Sequence, residues 1–335
     1  MEALPQLVDS FGRRIHYLRV SVTDRCQFRC FYCRPPGGID LAEHRELLTL
    51  EEITRLVRLF TECGIERVRL TGGEPLLRRN IMPLVAALAA LPRLRELSLS
   101  TNALMLARYA SDLVANGLKR VNISLDSLNP ETFREITRGG DLAPVLAGIE
   151  AALRAGLHPV KVNMVVMKGI NETEIPAMVE FARENGLILR FIETMPIGEP
   201  GQDSISRFVP AEVIRETVQR HFGRELRETR PPAHGNGPAR YFRIGSSGGE
   251  MGIISALSQH FCEGCNRVRL TSRGRLVLCL GREDRVDLKA PLREGMEDEP
   301  LRQRIREAVA KKPERHRLDG ETPNIPPHRM SALGG

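Results

Sequence analysis

Asn116-Gly117-Leu118-Lys119-Arg120-Val121-Asn122-Ile123-Ser124-Leu125-Asp126 is the stretch that decides the fold class. A helix stops at the glycine, an aliphatic residue follows, and an alternating strand begins. The same punctuation recurs at Cys63-Gly64-Ile65, Ala155-Gly156-Leu157 and Asn185-Gly186-Leu187. It predicts strands at about 67–71, 97–101, 121–126, 160–165 and 187–193, and the alternation over 18–23 adds one ahead of them. Helices between strands imply right-handed crossovers and a parallel sheet. Six such units are fewer than a closed eight-stranded barrel holds. The predicted architecture is α/β: an incomplete (β/α)6 TIM-like barrel, open on one side, followed by a smaller C-terminal α+β domain.

Side-chain parity along these strands carries the first functional information, because alternate residues face opposite sides. One parity is apolar: Leu18/Val20/Val22, Val68/Leu70, Leu97/Leu99, Val121/Ile123/Leu125, Val160/Val162 and Leu189/Phe191. These face the helices. The other parity holds Arg19/Ser21, Arg69/Thr71, Ser98/Ser100, Asn122/Ser124/Asp126, Lys161/Asn163 and Arg190. Packed barrel interiors are dominated by branched apolar side chains. This interior is polar and cationic, and unpartnered buried charges are costly. The lumen is therefore expected to hold water and an anionic ligand. A flat sheet with one solvated face is the plainer alternative, and helices beside every strand disfavour it.

Along the rest of the chain, Thr49 and Glu52 have capping-box spacing ahead of Ile53, Leu56, Val57 and Phe60. Thr71-Gly72-Gly73-Glu74-Pro75 closes the second strand; paired glycines permit close backbone approach to a ligand, and the glutamate can accept from an amine. A Gly/Pro/Ser-rich loop is expected around 198–207, a helix at 210–222, an exposed loop at 231–238, and short strands at 241–244, 251–255 and 275–280. The change of texture sets a domain boundary near 225, giving 1–225 and 226–335. A surface helix is expected near 301–310. The terminal Gly334-Gly335 is either a frayed end or a peptide slim enough to thread a narrow site.

The seven cysteines fall into Cys26, Cys30 and Cys33, then Cys63 alone, then Cys262, Cys265 and Cys279. An odd number without a recognisable secretion signal argues against a disulfide framework. Cys63 lies on an apparent helix and reads as a small core hydrophobe. The first triple, C-x3-C-x2-C, supplies one thiolate fewer than a 4Fe–4S cluster normally takes. The iron left open can bind a small molecule and pass it an electron. The second triple suits either another such cluster or a zinc site completed by His260 or a distant residue. Arg267-Val268-Arg269 adjoins it and sets two arginines on one strand face. An open iron flanked by arginines suits an anion that also carries a nitrogen or oxygen ligand, as a guanine nucleotide does.

The chain has 335 residues and a net charge of +7, with a pI of 9.2. That balance favours polyanionic ligands. No apolar run reaches the ~20 residues of a membrane span, so a cytoplasmic protein without a membrane partner is expected. There is no G-x4-G-K-[ST] loop, so a nucleoside triphosphate would be held by side-chain cations, a role suited to arginine.

The motifs CQFRCFYC, TGGEP, NISLDSL, ETMPIG and CEGCNRVRL, with Cys279 and the closing Gly-Gly, resemble in combination the GTP 3′,8-cyclase (MoaA) family of the radical S-adenosylmethionine (SAM) superfamily. The resemblance spans Arg14 to Gly335. It implies a first 4Fe–4S cluster on Cys26, Cys30 and Cys33 and a second on Cys262, Cys265 and Cys279. It implies SAM contacts at Tyr32, Gly73, Ser124 and Met195. It implies GTP contacts at Arg19, Arg69, Ser100, Lys161, Arg267, Val268 and Arg269, with Arg267 and Arg269 also in catalysis. Ser100 stands where the family usually has threonine. The implied reaction makes a 5′-deoxyadenosyl radical from SAM, abstracts the 3′ hydrogen of GTP and closes the 3′,8 bond, as the first step of molybdenum cofactor biosynthesis. Implied partners are a downstream cyclic pyranopterin monophosphate synthase and an electron donor, with no nucleic acid; the chain would be a monomer or homodimer. The rival readings are another two-cluster radical SAM enzyme acting on a peptide or RNA, a metal-stabilised RNA-binding protein, and an iron–sulfur electron carrier.

Overall fold

Thr49 caps the first helix, α1 (Leu50–Glu62), as its spacing predicts: its side chain accepts from the Glu52 amide, and Glu52 reaches back to the Thr49 amide. Ile53, Leu56, Val57 and Phe60 recur on one face and are fully buried. Each contributes about 1.5–3 kcal/mol by leaving water. This computed structural model describes residues 6–230, 237–245, 249–318, 325–326 and 330–333.

Six parallel strands follow in chain order: β1 (Tyr17–Ser21), β2 (Arg67–Thr71), β3 (Glu96–Thr101), β4 (Arg120–Ser124), β5 (Lys161–Val166) and β6 (Ile188–Glu193). Between them run α1, α2 (Ile81–Ala89), α3 (Leu106–Ala115), α4 (Pro130–Thr137), α5 (Ala143–Arg154) and α6 (Ile175–Glu184). Their buried apolar residues belong to one core with the strands, and α4 also sets Phe133 edge-on against Phe28 of the cysteine loop. The apolar parity predicted from the sequence is the buried core: Leu18, Val20, Val68, Leu70, Leu97, Leu99, Val121, Ile123, Val162, Leu189 and Phe191 all belong to it. The architecture is the predicted partial barrel.

After β6 the loop expected around 198–207 contains a short helix, α7 (Gly201–Ser206). Ser204 helps form it by donating to the Pro200 carbonyl. Then come α8 (Ala211–Phe222), β7 (Leu226–Thr229), β8 (Arg240–Ile244), β9 (Gly249–Ile254), β10 (Arg267–Leu270), β11 (Arg275–Val277) and β12 (Arg285–Asp287). The chain continues through α9 (Lys289–Arg293), α10 (Asp298–Ala310) and α11 (Met330–Leu333). Most of the loop expected at 231–238, and the terminal Gly334-Gly335, lie outside the described residues.

The later strands do not form a separate sheet. β9 pairs parallel with β6, and β10 pairs parallel with β1 on the opposite edge. The full order is β12-β11-β10-β1-β2-β3-β4-β5-β6-β9-β8-β7. The C-terminal part thus extends the partial barrel from both edges, and places Arg267 and Arg269 beside Tyr17 and Arg19.

Candidate functional site

Strand register assembles the lumen in rows. Arg267, Tyr17, Arg67 and Glu96 lie across neighbouring strands in one row. Arg269, Arg19, Arg69, Ser98 and Arg120 make the next. Ser124, Asn163 and Arg190 form one nearer the C-terminal ends. Two cavities open from these rows.

The first cavity is walled by Cys26, Cys30 and Cys33 together with Tyr32, Gly73, Ser100, Ser124 and Met195. All four expected cofactor residues stand here. Ser100, expected on the substrate, also stands here. The wall is held by buried polar groups bonded to the chain itself. Asp126 accepts from the Tyr32 hydroxyl at 2.7 Å and the Val165 amide at 2.8 Å. Burial still raises its carboxyl to about 6, because these two bonds only partly offset desolvation. Asn102 points its amide at the Cys26 sulfur, 3.6 Å away. Burial, then the Asp126 charge and the neighbouring thiols, pushes the Cys30 thiol well up.

Gly72 and Gly73 line this cavity and also allow a close approach within the chain. A Cβ on Gly72 would sit 2.4 Å from the Thr23 carbonyl oxygen, and one on Gly73 would sit 2.2 Å from that of Arg25. The close approach is to the root of the cysteine loop, which the Gly73 and Glu74 amides bond at 2.8 and 2.7 Å. Glu74, unlike the two glycines, is taken up inside the chain, which corrects its reading as an amine acceptor. Fully buried, it accepts from the Leu76 amide at 3.0 Å, the Thr101 hydroxyl at 2.9 Å and the Asn102 amide at 2.7 Å. Burial lifts its carboxyl to about 7. It locks the turn beneath the loop.

The second cavity is lined by Arg19, Arg67, Arg69, Arg120, Lys161, Arg190, Arg267 and Arg269, and by Cys262, Cys265 and Cys279. It therefore gathers the second cysteine triple and every cation expected on the substrate. Crowding shows in their chemistry. Burial, then Arg190, Arg120 and Arg69, pushes the Lys161 ammonium down to about 6. Burial and then Arg267 lower Arg269 to about 10, and burial then Arg269 lower Arg19 well below its usual value. Val268 turns the other way, into the apolar core. A substrate contact there would have to come from its main chain, since its side chain has the wrong parity.

The second triple is pinned from outside the barrel. Arg13 donates to the carbonyls of Cys262 at 2.8 Å, Glu314 at 2.5 Å and Pro313 at 2.6 Å, and pairs with Asp9 at 2.6 Å. Lys312 is buried, donates to the Leu278 carbonyl, and its charge, with that of Arg267, draws the Cys265 thiol down against the opposing effect of burial. His260 packs edge-on against His316, with ring centroids 6.0 Å apart. Cys63 sits in the apolar core, where burial raises its thiol to about 11.

The cavities share Asn163, Ile192, Met195 and Met330 as a common wall. The described end of the chain reaches the same place: Arg269 donates to the Leu333 carbonyl at 3.4 Å. Among the described residues, no three histidine, cysteine or carboxylate groups converge on a single metal ion. Each triple instead rims a cavity, which suits a 4Fe–4S cluster, whose irons take one thiolate each.

The sequence reading missed several lining residues. Tyr17 and Arg120 each fell one residue outside an expected strand, although the alternation of Arg19 and Asn122, carried one step back, contains both. Arg13 and Lys312 left no signal, since their sequence neighbourhoods are ordinary charged surface.

Residues 20–182 match the Radical SAM superfamily and 187–318 match Molybdenum Cofactor Synthesis C. A GTP 3′,8-cyclase of Hydrogenovibrio crunogenus is 49% identical over 330 residues, 98% of this chain and 99% of that one. One from Heliobacterium modesticaldum is 46% identical over 98% of this chain and 100% of its own. Among solved structures, Streptococcus suis SuiB bound to S-adenosylmethionine superposes with a TM-score of 0.59 at 15% identity, covering 88% of this chain and 69% of that one. That likeness is one of fold. Among the described residues no helix is long and apolar enough to cross a membrane.

Proposed function

The chain belongs to the GTP 3′,8-cyclase family, and from that premise we propose how its residues divide the work. The protein is a radical SAM enzyme with two 4Fe–4S clusters. It cyclises GTP to (8S)-3′,8-cyclo-7,8-dihydroguanosine 5′-triphosphate in molybdenum cofactor biosynthesis. Cys26, Cys30 and Cys33 hold the first cluster; Tyr32, Gly73, Ser124 and Met195 hold SAM. Cys262, Cys265 and Cys279 hold the second. The first cluster with SAM supplies hydrogen-atom abstraction at the ribose 3′ carbon.

The remaining work belongs to the side chains. Arg19, Arg69 and Lys161 neutralise the triphosphate, and Arg267 and Arg269 fix the nucleotide beside the second cysteine triple. Tyr32 and Asp126 brace the wall on which SAM lies. The barrel excludes water from the reacting carbon and orients it. Ser100, on the cofactor side, touches GTP only where the two ligands meet. Residues 1–225 carry the SAM half and 226–335 the second cluster and the Gly334-Gly335 tail. In this reading the product passes to a cyclic pyranopterin monophosphate synthase, a separate donor reduces the clusters, and the enzyme works in the cytoplasm as a monomer or homodimer.

The observation that carries this division is the common wall: one cavity rimmed by the first cysteine triple opens beside another holding cations and the second triple. The test is anaerobic reconstitution followed by GTP, SAM and a reductant. About eight irons per chain, with 5′-deoxyadenosine and a cyclised nucleotide formed together, is the expected result. Cleavage of SAM that leaves GTP intact would refute the division.

A further inference from the structure

Tyr17 stands on the lumen face of β1, with Arg267 and Arg67 directly across on either side. The Arg69 guanidinium lies over its ring, 5.5 Å from the centroid. The residue is only 4% exposed. Its hydroxyl is buried and has no hydrogen-bond partner among the described residues. Buried phenols ordinarily find one. The surroundings explain the exception. Arg19, Arg67, Arg69, Arg120 and Arg267 carry donors and no acceptors. The nearby carboxylate, Glu96, is taken by Arg120 and Arg67. The phenol therefore has a proton to donate and, among the described residues, no acceptor within hydrogen-bonding reach. A phosphate brings acceptor oxygens and draws in the same arginines.

We propose that Tyr17 is a further substrate-binding residue, whose hydroxyl donates a hydrogen bond to a phosphate oxygen of GTP. This rests on the assignment of the cationic cavity to GTP. Ring and hydroxyl have separate tasks. The ring lies beneath the Arg69 guanidinium, and the hydroxyl donates to the anion. A purely structural Tyr17 needs the ring alone.

Tyr17→Phe separates the two. In the reconstituted enzyme it should weaken equilibrium binding of GTP, and raise its KM, by roughly tenfold. Iron content and kcat should stay near those of the parent, and competition by guanosine, which lacks phosphate, should not change. Unaltered GTP binding in Tyr17→Phe overturns the proposal. Equal weakening of GTP and guanosine also overturns it, by moving the contact off the phosphates. Arg69→Ala is the control: if it abolishes GTP binding while Tyr17→Phe is silent, the phenol falls and the GTP site stands. Parent enzyme that fails to bind GTP overturns both.

Discussion

The two cavities share a wall and are built on opposite principles. Around the first cysteine triple, the buried polar groups are bonded within the chain: Glu74 to three donors, Asp126 to Tyr32 and Val165, and Asn171 to the carbonyls of Asp126 and Val165 at 2.7 and 2.9 Å. In the other cavity like charges face one another, and Lys161 has given up its usual basicity. A resident cofactor needs a wall that keeps its shape when unloaded, and main-chain hydrogen bonds supply one. An exchangeable polyanion needs cations that gain by its arrival. Their mutual repulsion is a cost to the fold and a source of affinity.

The largest blow to the comparison should come from Gly73→Val. Its Cβ would meet the Arg25 carbonyl carbon and oxygen at 2.6 and 2.2 Å, so the cysteine loop must move. We expect reconstituted protein to lose roughly half its iron and all SAM cleavage, with the second cluster's spectrum retained. Full iron in this variant would show that the glycine merely ends a strand.

Arg13→Ala tests the other triple. It removes one partner of a buried pair and frees the Cys262 carbonyl. The change should destabilise the region by about 3 kcal/mol. Under chelation, iron should leave the second cluster sooner, with the first unchanged; equal loss from both would count against a local clamp.

Lys161→Met sharpens the claim about crowded cations. With its pKa lowered to about 6, Lys161 is neutral in the folded, ligand-free protein at pH 7.5, while the unfolded chain keeps the proton to ~10.4. Its penalty on the fold is full below about pH 6 and fades as the pH rises toward ~10. The variant should thus be more stable than the parent by on the order of a few kcal/mol near neutrality, with the difference shrinking in alkali. GTP should restore the charge and be bound with uptake of up to one proton, so parent affinity falls as pH rises above 7. Calorimetry in buffers of different ionisation heat should show that uptake in the parent and none in Lys161→Met, alongside roughly tenfold or greater loss of GTP affinity. A variant no more stable than the parent would mean the cations are not strained.

The smallest effect belongs to Cys63→Ala, outside both cavities. A cost of about 1 kcal/mol in chemical denaturation, with iron content unchanged, is expected of a core thiol. Iron loss would make Cys63 part of the metal chemistry.

Much of this was legible in the chain itself. Helix-ending glycines and strand alternation determined the β/α order, the core face and the lumen face, because both follow from local periodicity. Thr49 with Glu52 determined a cap for the same reason. The cysteine spacings and the arginines around Val268 marked the chemistry. Tertiary structure decided what those residues meet. Glu74 has the look of a ligand, and only the packing of its turn against Thr101 and Asn102 turns it into a brace. Gly73 gives room to Arg25, a contact between the loops that follow two neighbouring strands and are some fifty residues apart in sequence, which no local pattern contains. Arg267 reaches the same cavity as Arg69 because β10 joins β1 at the far edge of the sheet, a pairing across some 250 residues. Among the described residues the Tyr17 hydroxyl has no partner, because arginines from several strands surround it. Periodicity is a property of neighbours along the chain, whereas hydrogen-bond satisfaction and electrostatic crowding are properties of neighbours in space.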